Sequence, residues 1–79
     1  MSPSQQEVQE FVFESIVFFG PEPEEVTLDA TLESLDVDSL DMVELGQLVE
    51  DKYGVRLQPQ DFEEVATVGQ AVDVIAAKV

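Results

Sequence analysis

The sequence predicts an all-α fold, a small antiparallel bundle of three main helices plus one short helix. Three observations carry this. Apolar residues recur at helical spacing in three separate stretches. Residues that start or stop helices bound those stretches: Gly20-Pro21, Asp38, Gly54 and Thr67. Seventy-nine residues, without internal repeat, low-complexity segment or linker, allow one small domain over 1–79. That is close to the lower limit for unaided folding.

The first helix is expected from about Ser4 to Phe19. Val8, Phe11, Val12, Ile16 and Phe19 form its apolar stripe. Gly20-Pro21-Glu22-Pro23 stops it. Phe13 and Val17 fall roughly opposite the stripe, to be covered by the following loop or left as a secondary docking or dimer patch. Glu24 to Val37 reads as a long connection between the first and second helices, tacked to the core by Val26, Leu28, Leu32, Leu35 and Val37. So long a loop in so small a domain is more often functional than idle. The second helix should run from about Ser39 to Tyr53. Asp38 caps it, Asp41 completes a capping box and Gly54 ends it. Val55 to Pro59 is an extended connector, and Gln60 to Val65 suits a short third helix. Thr67 caps a last helix through about Lys78, whose stripe is Val68, Val72, Ile75 and Val79.

Composition narrows function. The chain has no cysteine and no histidine, so disulfides, thiolate metal sites and the commonest general base are unavailable. Its 18 acidic and 3 basic residues give a net charge of -15. Nucleic acid and anionic membrane surfaces are poor partners for such a chain. Basic patches on proteins suit it. With 44% hydrophobic residues placed periodically, it reads as folded rather than disordered. The start, Met1 to Glu7, lacks the basic and apolar regions of a signal peptide. It reads as the beginning of a freestanding cytoplasmic polypeptide, a monomer when free.

The feature that points to chemistry is Asp38-Ser39-Leu40, which puts one serine hydroxyl at the start of a helix. Unpaired N–H groups and the positive dipole end of a helix suit a phosphate there. Ser and Asp are also routine helix starters, so the tripeptide alone reads first as an ordinary cap. Its context is more specific. The stretch from Thr31 to Leu45, followed by Tyr53-Gly54-Val55-Arg56-Leu57 and Thr67-Val68, resembles the acyl carrier protein family over nearly the whole chain. The resemblance implies that Ser39 carries 4'-phosphopantetheine, whose thiol holds an acyl chain as a thioester. It also implies that Asp38, beside the serine, faces the modifying enzyme.

The second helix divides into two faces. Met42, Leu45, Val49 and Tyr53 are assigned to the core. Leu40, Val43 and Gln47 lie on another face, beside Asp41, Glu44, Glu50 and Asp51. Leu40 and Val43 are apolar where packing does not require it, and no Lys or Arg occurs from Pro21 through Asp51. The resemblance makes this face, with Asp36 from the loop before it, the docking surface for partner enzymes. Acidic side chains would meet Arg and Lys, and apolar ones would give short-range fit.

Three residues depart from the family's pattern. Asp36 stands where Gly is frequent, though Asp tolerates left-handed angles. Gly46 lies inside a helix, a cost of about 1 kcal/mol relative to Ala. It either permits close packing or leaves room for an acyl chain. Gln47 replaces a larger apolar contact, often Met. The short approach Leu32-Glu33-Ser34-Leu35 looks closer to polyketide and mixed polyketide–peptide carriers than to the housekeeping fatty-acid carrier.

Other chemistries fail on their residues. A calcium loop from Asp36 would need an oxygen ligand, a Gly and a Glu where Leu40, Asp41 and Gln47 stand. A serine hydrolase lacks its histidine and elbow glycines. Asp38 and Asp41 as an acid–base pair would need a cleft that so small a domain hardly offers.

The expected protein is therefore a non-catalytic acyl carrier in secondary-metabolite (polyketide or antibiotic) biosynthesis. Its partners would be a phosphopantetheinyl transferase and an acyltransferase, ligase or ketosynthase with basic docking patches. Leu45, Val49, Phe62 and Ile75 are candidates to line a groove for the acyl chain, or else form a closed core. Two alternatives stay open: a carrier for fatty-acid synthesis, and a carrier-like acidic adaptor without a prosthetic group. No metal site is expected.

Overall fold

Three helices, α1 (Gln5–Phe18), α2 (Ser39–Tyr53) and α3 (Val68–Lys78), make up the bundle in the computed structural model, which describes residues 3–79. Met1 and Ser2, on which the reading of the chain's start rests, lie outside the described residues. Among the described residues there is no strand, and the all-α expectation holds.

α1 begins where Ser4 Oγ accepts the Glu7 N–H at 3.1 Å. Val8, Val12 and Ile16 are fully buried, and Phe11 and Phe19 pack against them. Burial of such a side chain contributes about 1.5–3 kcal/mol, so this stripe anchors the bundle. α1 packs on both other helices, more extensively on α3. Phe13 and Val17 are half-buried against the core, which favours the covering-loop reading over a docking patch. The exposed aromatic is instead Phe18, the last residue of the helix.

The long connection is only partly irregular. Pro23–Glu25 forms a single 3-10 turn. Val26, Leu32, Leu35 and Val37 are buried as expected, but Leu28 is not: it is 43% exposed. Its backbone, rather than its side chain, fixes this point of the loop, because its carbonyl accepts the Gly69 N–H at 2.9 Å. The Val68 N–H donates to Ala30 O at 3.0 Å and the Leu32 N–H to Ala66 O at 2.9 Å, around a bridge between Thr31 and Thr67. These bonds stitch the loop to the start of α3 and satisfy N–H groups left over at a helix N-terminus.

The expected short third helix is one 3-10 turn, Pro59–Phe62, followed by a hydrogen-bonded turn at Glu63 and Glu64 rather than a helix to Val65. Pro59 starts the turn, and Asp61 Oδ2 accepts the Gln58 N–H at 2.7 Å. α3 follows, with Thr67 Oγ1 accepting the Gln70 N–H at 3.1 Å and Gln70 Oε1 accepting the Thr67 N–H at 3.1 Å. Val68, Ala71, Val72 and Ile75 are its buried face, and Val79 packs at its edge.

Candidate functional site

The site is built at the junction of the stitched loop and α2. Leu35 and Val37 are buried on either side of Asp36, which turns outward with φ of 58°. This left-handed angle is one that Asp adopts more readily than most residues. It reverses the chain just before α2, so the approach expected from Asp36 survives without glycine.

Asp38 then caps the helix. Its Oδ1 accepts the Asp41 N–H at 3.0 Å, and Asp41 Oδ2 accepts the Asp38 N–H at 3.2 Å. The capping work is thus done by carboxylates. Ser39 is the first helical residue and is exposed. Among the described residues, its hydroxyl makes no hydrogen bond. An ordinary cap serine would have spent that hydroxyl on a backbone N–H. Here it remains accessible on a fixed frame.

The exposure pattern expected of α2 is present. Leu40 is 77% and Val43 66% exposed, although each is a large apolar residue. Asp36, Glu44, Gln47 and Asp51 are exposed, while Asp41 and Glu50 are partly buried. Gln47 Nε2 donates to Asp51 Oδ1 at 3.1 Å, one turn along. On the core side Leu45 and Val49 are fully buried, and Met42 and Tyr53 pack at the margin. Gly54, with φ of 74°, closes the helix in the left-handed conformation that glycine accepts freely.

A groove of about 510 Å³ opens beside Ser39, within the 300–1,000 Å³ range usual for ligand pockets. One wall is a stripe of α2: Ser39, Met42, Val43, Gly46, Gln47 and Glu50. The connector after α2 supplies the other wall, from Arg56 and Leu57 through Pro59 to Phe62. This corrects the expected lining. Leu45, Val49 and Ile75 are fully buried in the closed core, and only Phe62 of the four candidates reaches the groove. Val43 and Gln47 serve both groove and outer face. Gly46 is not needed for close helix contact, since a Cβ there would meet Leu57 Cβ at an ordinary 3.9 Å. It does leave the groove floor open.

Sequence reasoning missed Leu57, Pro59 and Arg56 as wall residues. Their place depends on how the connector folds back along α2, and local periodicity carries no trace of that. Arg56 Nε donates to Glu50 Oε1 at 3.4 Å at the end of the groove away from Ser39.

An accessible, unspent hydroxyl at a helix start, opening onto an apolar groove, fits a phosphate-linked arm. The family model described as "phosphopantetheine attachment site" matches residues 18–75, which include Ser39 and both groove walls. An acyl carrier protein of Rhodococcus erythropolis is 48% identical over 54 residues, covering 67% of this chain and 59% of that protein. A meromycolate extension acyl carrier protein of Mycolicibacterium aurum is 43% identical over 74 residues, 91% of this chain and 76% of its own. Its counterpart in Mycolicibacterium smegmatis is 46% identical over 54 residues, 67% of this chain and 54% of its own. The match thus spans little more than half of two of these relatives.

Proposed function

The chain belongs to the acyl carrier protein family, and from that membership we propose that it carries acyl groups on 4'-phosphopantetheine attached to Ser39 and presents them to partner enzymes. The observation that carries the assignment to Ser39 is its free, exposed hydroxyl at the first position of α2, where Asp38 has already done the capping. The prosthetic group supplies, when attached, a thiol that holds the acyl group as a thioester. Everything else is the work of this chain's residues. The α2 start directs the Ser39 Oγ outward and offers its positive dipole end to a phosphate. Asp38 holds that helix start and presents a carboxylate to the transferase. Leu40, Val43, Glu44 and Asp51, with Asp36, form a face for basic partners. The groove shields apolar atoms of arm and cargo from water between visits, through Met42, Val43, Leu57 and Phe62. The chain itself makes and breaks no acyl bond.

For the pathway, the reading is a polyketide-type assembly that builds secondary metabolites. Support comes from Gln47, Gln58 and Arg56, polar side chains in a groove that a plain alkyl chain would prefer fully apolar. The names of the mycobacterial relatives favour a second reading, extension of a fatty acyl chain.

Intact mass measured after incubation with coenzyme A and a promiscuous phosphopantetheinyl transferase tests the attachment. The parent should gain one phosphopantetheine and folded Ser39→Ala none. Gain by both would move the site off Ser39. No gain by either, with a transferase active on a control carrier, would favour a dedicated transferase or the acidic-adaptor alternative.

A further inference from the structure

We propose that Arg56 is a cargo-reading residue, which seats a short acyl group bearing an uncharged oxygen near the thioester, a 3-oxoacyl group above all; this rests on Ser39 being the attachment point. The groove starts at Ser39 and ends where Arg56 meets Glu50. Ser39 and Glu50 lie eleven helical steps apart, a rise of about 16 Å. An extended pantetheine arm is of similar length, so an arm laid along the groove brings the acyl carbonyl to the polar end. Along α2 the lining passes from Met42 and Val43 to Gln47 and Glu50, and Arg56 stands at the Glu50 end.

Arg56 is distinctive among the chain's 3 basic residues. Lys52 sits over the Phe11 ring at 4.8 Å, and Lys78 lies 3.7 Å from Asp61. Arg56 alone lines the groove. Glu50 engages its Nε, and among the described residues its two terminal nitrogens have no partner. A guanidinium has five N–H donors, so four remain for acceptor oxygens on the cargo. Gln47 is less available, because its amide nitrogen already donates to Asp51.

Charge decides which oxygen. Glu50 already balances Arg56, and the chain has a net charge of -15. A further carboxylate at this end would be repelled by the Glu50 carboxylate and by the chain's net negative charge. A keto oxygen accepts the same hydrogen bonds without that repulsion. A saturated chain of equal length gains no hydrogen bond from Arg56.

The experiment loads butanoyl, 3-oxobutanoyl and malonyl pantetheine onto the parent and onto Arg56→Met, confirming each by intact mass. Methionine keeps much of the length and removes every donor. Arg56 is a surface residue, with 75% of its side chain exposed, so unfolding is not expected; thermal melts check this. Transfer of each acyl group from the carrier thiol to excess 2-mercaptoethanol is then timed and divided by the rate for the same acyl-coenzyme A. Amide NMR shifts at Gly46, Leu57 and Phe62 report groove occupancy independently. The expected result is several-fold protection of 3-oxobutanoyl alone, with shifts at those amides, both lost in Arg56→Met. Equal protection of butanoyl, undiminished protection in Arg56→Met, or stronger protection of malonyl would each overturn the proposal. Absence of any mass gain on the parent would instead remove the Ser39 reading beneath it.

Discussion

The Tyr53 hydroxyl is buried without a hydrogen-bond partner among the described residues. Its ring is better placed: Phe11 meets it edge-on, with centroids 5.6 Å apart. Burial, and secondarily the negative charge of Glu7, raise the Tyr53 pKa above its ordinary 10.0. The folded chain therefore holds this phenol protonated beyond the pH at which the unfolded chain ionises. That contribution is fully present below pH 10.0 and is lost as pH rises through the higher folded value. Tyr53→Phe removes both the titration and an unpaired polar atom. At pH 7 it should be neutral or stabilising by about 1 kcal/mol, since burying an unmatched hydroxyl is unfavourable. Thermal melts from pH 8 to 11 should show the parent losing stability above pH 10.0 more steeply than the variant. Parallel curves would mean that the hydroxyl is hydrated or bonded in solution. Sequence placed Tyr53 on the core face correctly, yet nothing in its spacing tells whether the ring's far end finds a partner.

At the scale of elements, two helical glycines should respond oppositely to alanine. At Gly46 the new Cβ meets only Leu57 Cβ, at 3.9 Å, while the helix interior gains about 1 kcal/mol from the better helix former. At Gly69 the Cβ would lie 3.0 Å from the Leu28 carbonyl oxygen, which is itself held by the Gly69 N–H at 2.9 Å. The neighbouring bonds from Val68 and Leu32 keep that oxygen from yielding. Overpacking of this kind costs about 1–3 kcal/mol and should outweigh the propensity gain. Urea denaturation should show a higher midpoint for Gly46→Ala and a lower one for Gly69→Ala; a rise for both would show that the stitched loop is pliable. The contrast also marks what was legible. α2 was readable to its bounds because Asp38, Asp41 and Gly54 are local signals with local causes. The Thr31–Thr67 stitch was not, because backbone groups make it and carry no side-chain signature. The turns at Pro23 and Pro59 are too short for periodicity, and the outward Leu28 defeats the rule that loop leucines tack inward. For the site, the exposed Leu40 and Val43 followed from helical phase, and Ser39 from its place at the start of α2 and from the family resemblance. The groove did not, since its second wall is a connector whose path only the assembled bundle defines.

Over the whole molecule, charge should act on stability and on the proposed docking with opposite signs. The net charge is -15, and the cations relieve it only locally: Arg56 beside Glu50 at 3.4 Å, Lys78 beside Asp61 at 3.7 Å. Self-repulsion on that scale disfavours the compact state, and salt weakens it as the Debye length falls from about 30 Å at 0.01 M to about 8 Å at 0.15 M. Raising salt should therefore raise the melting temperature by several degrees. The same screening should lower kcat/KM of a basic phosphopantetheinyl transferase acting on the chain, as the proposed electrostatic steering toward the α2 face requires. Glu44→Lys separates the two effects. It lies on the exposed face and, among the described residues, has no ion-pair partner, so reversing it should leave the melting temperature unchanged or higher. Its transferase kcat/KM should fall several-fold at low salt and converge with the parent's at high salt. A fall in melting temperature would make Glu44 a structural residue. A kcat/KM indifferent to both salt and Glu44→Lys would mean that the acidic face is solvated surface and that partners find Ser39 by shape alone.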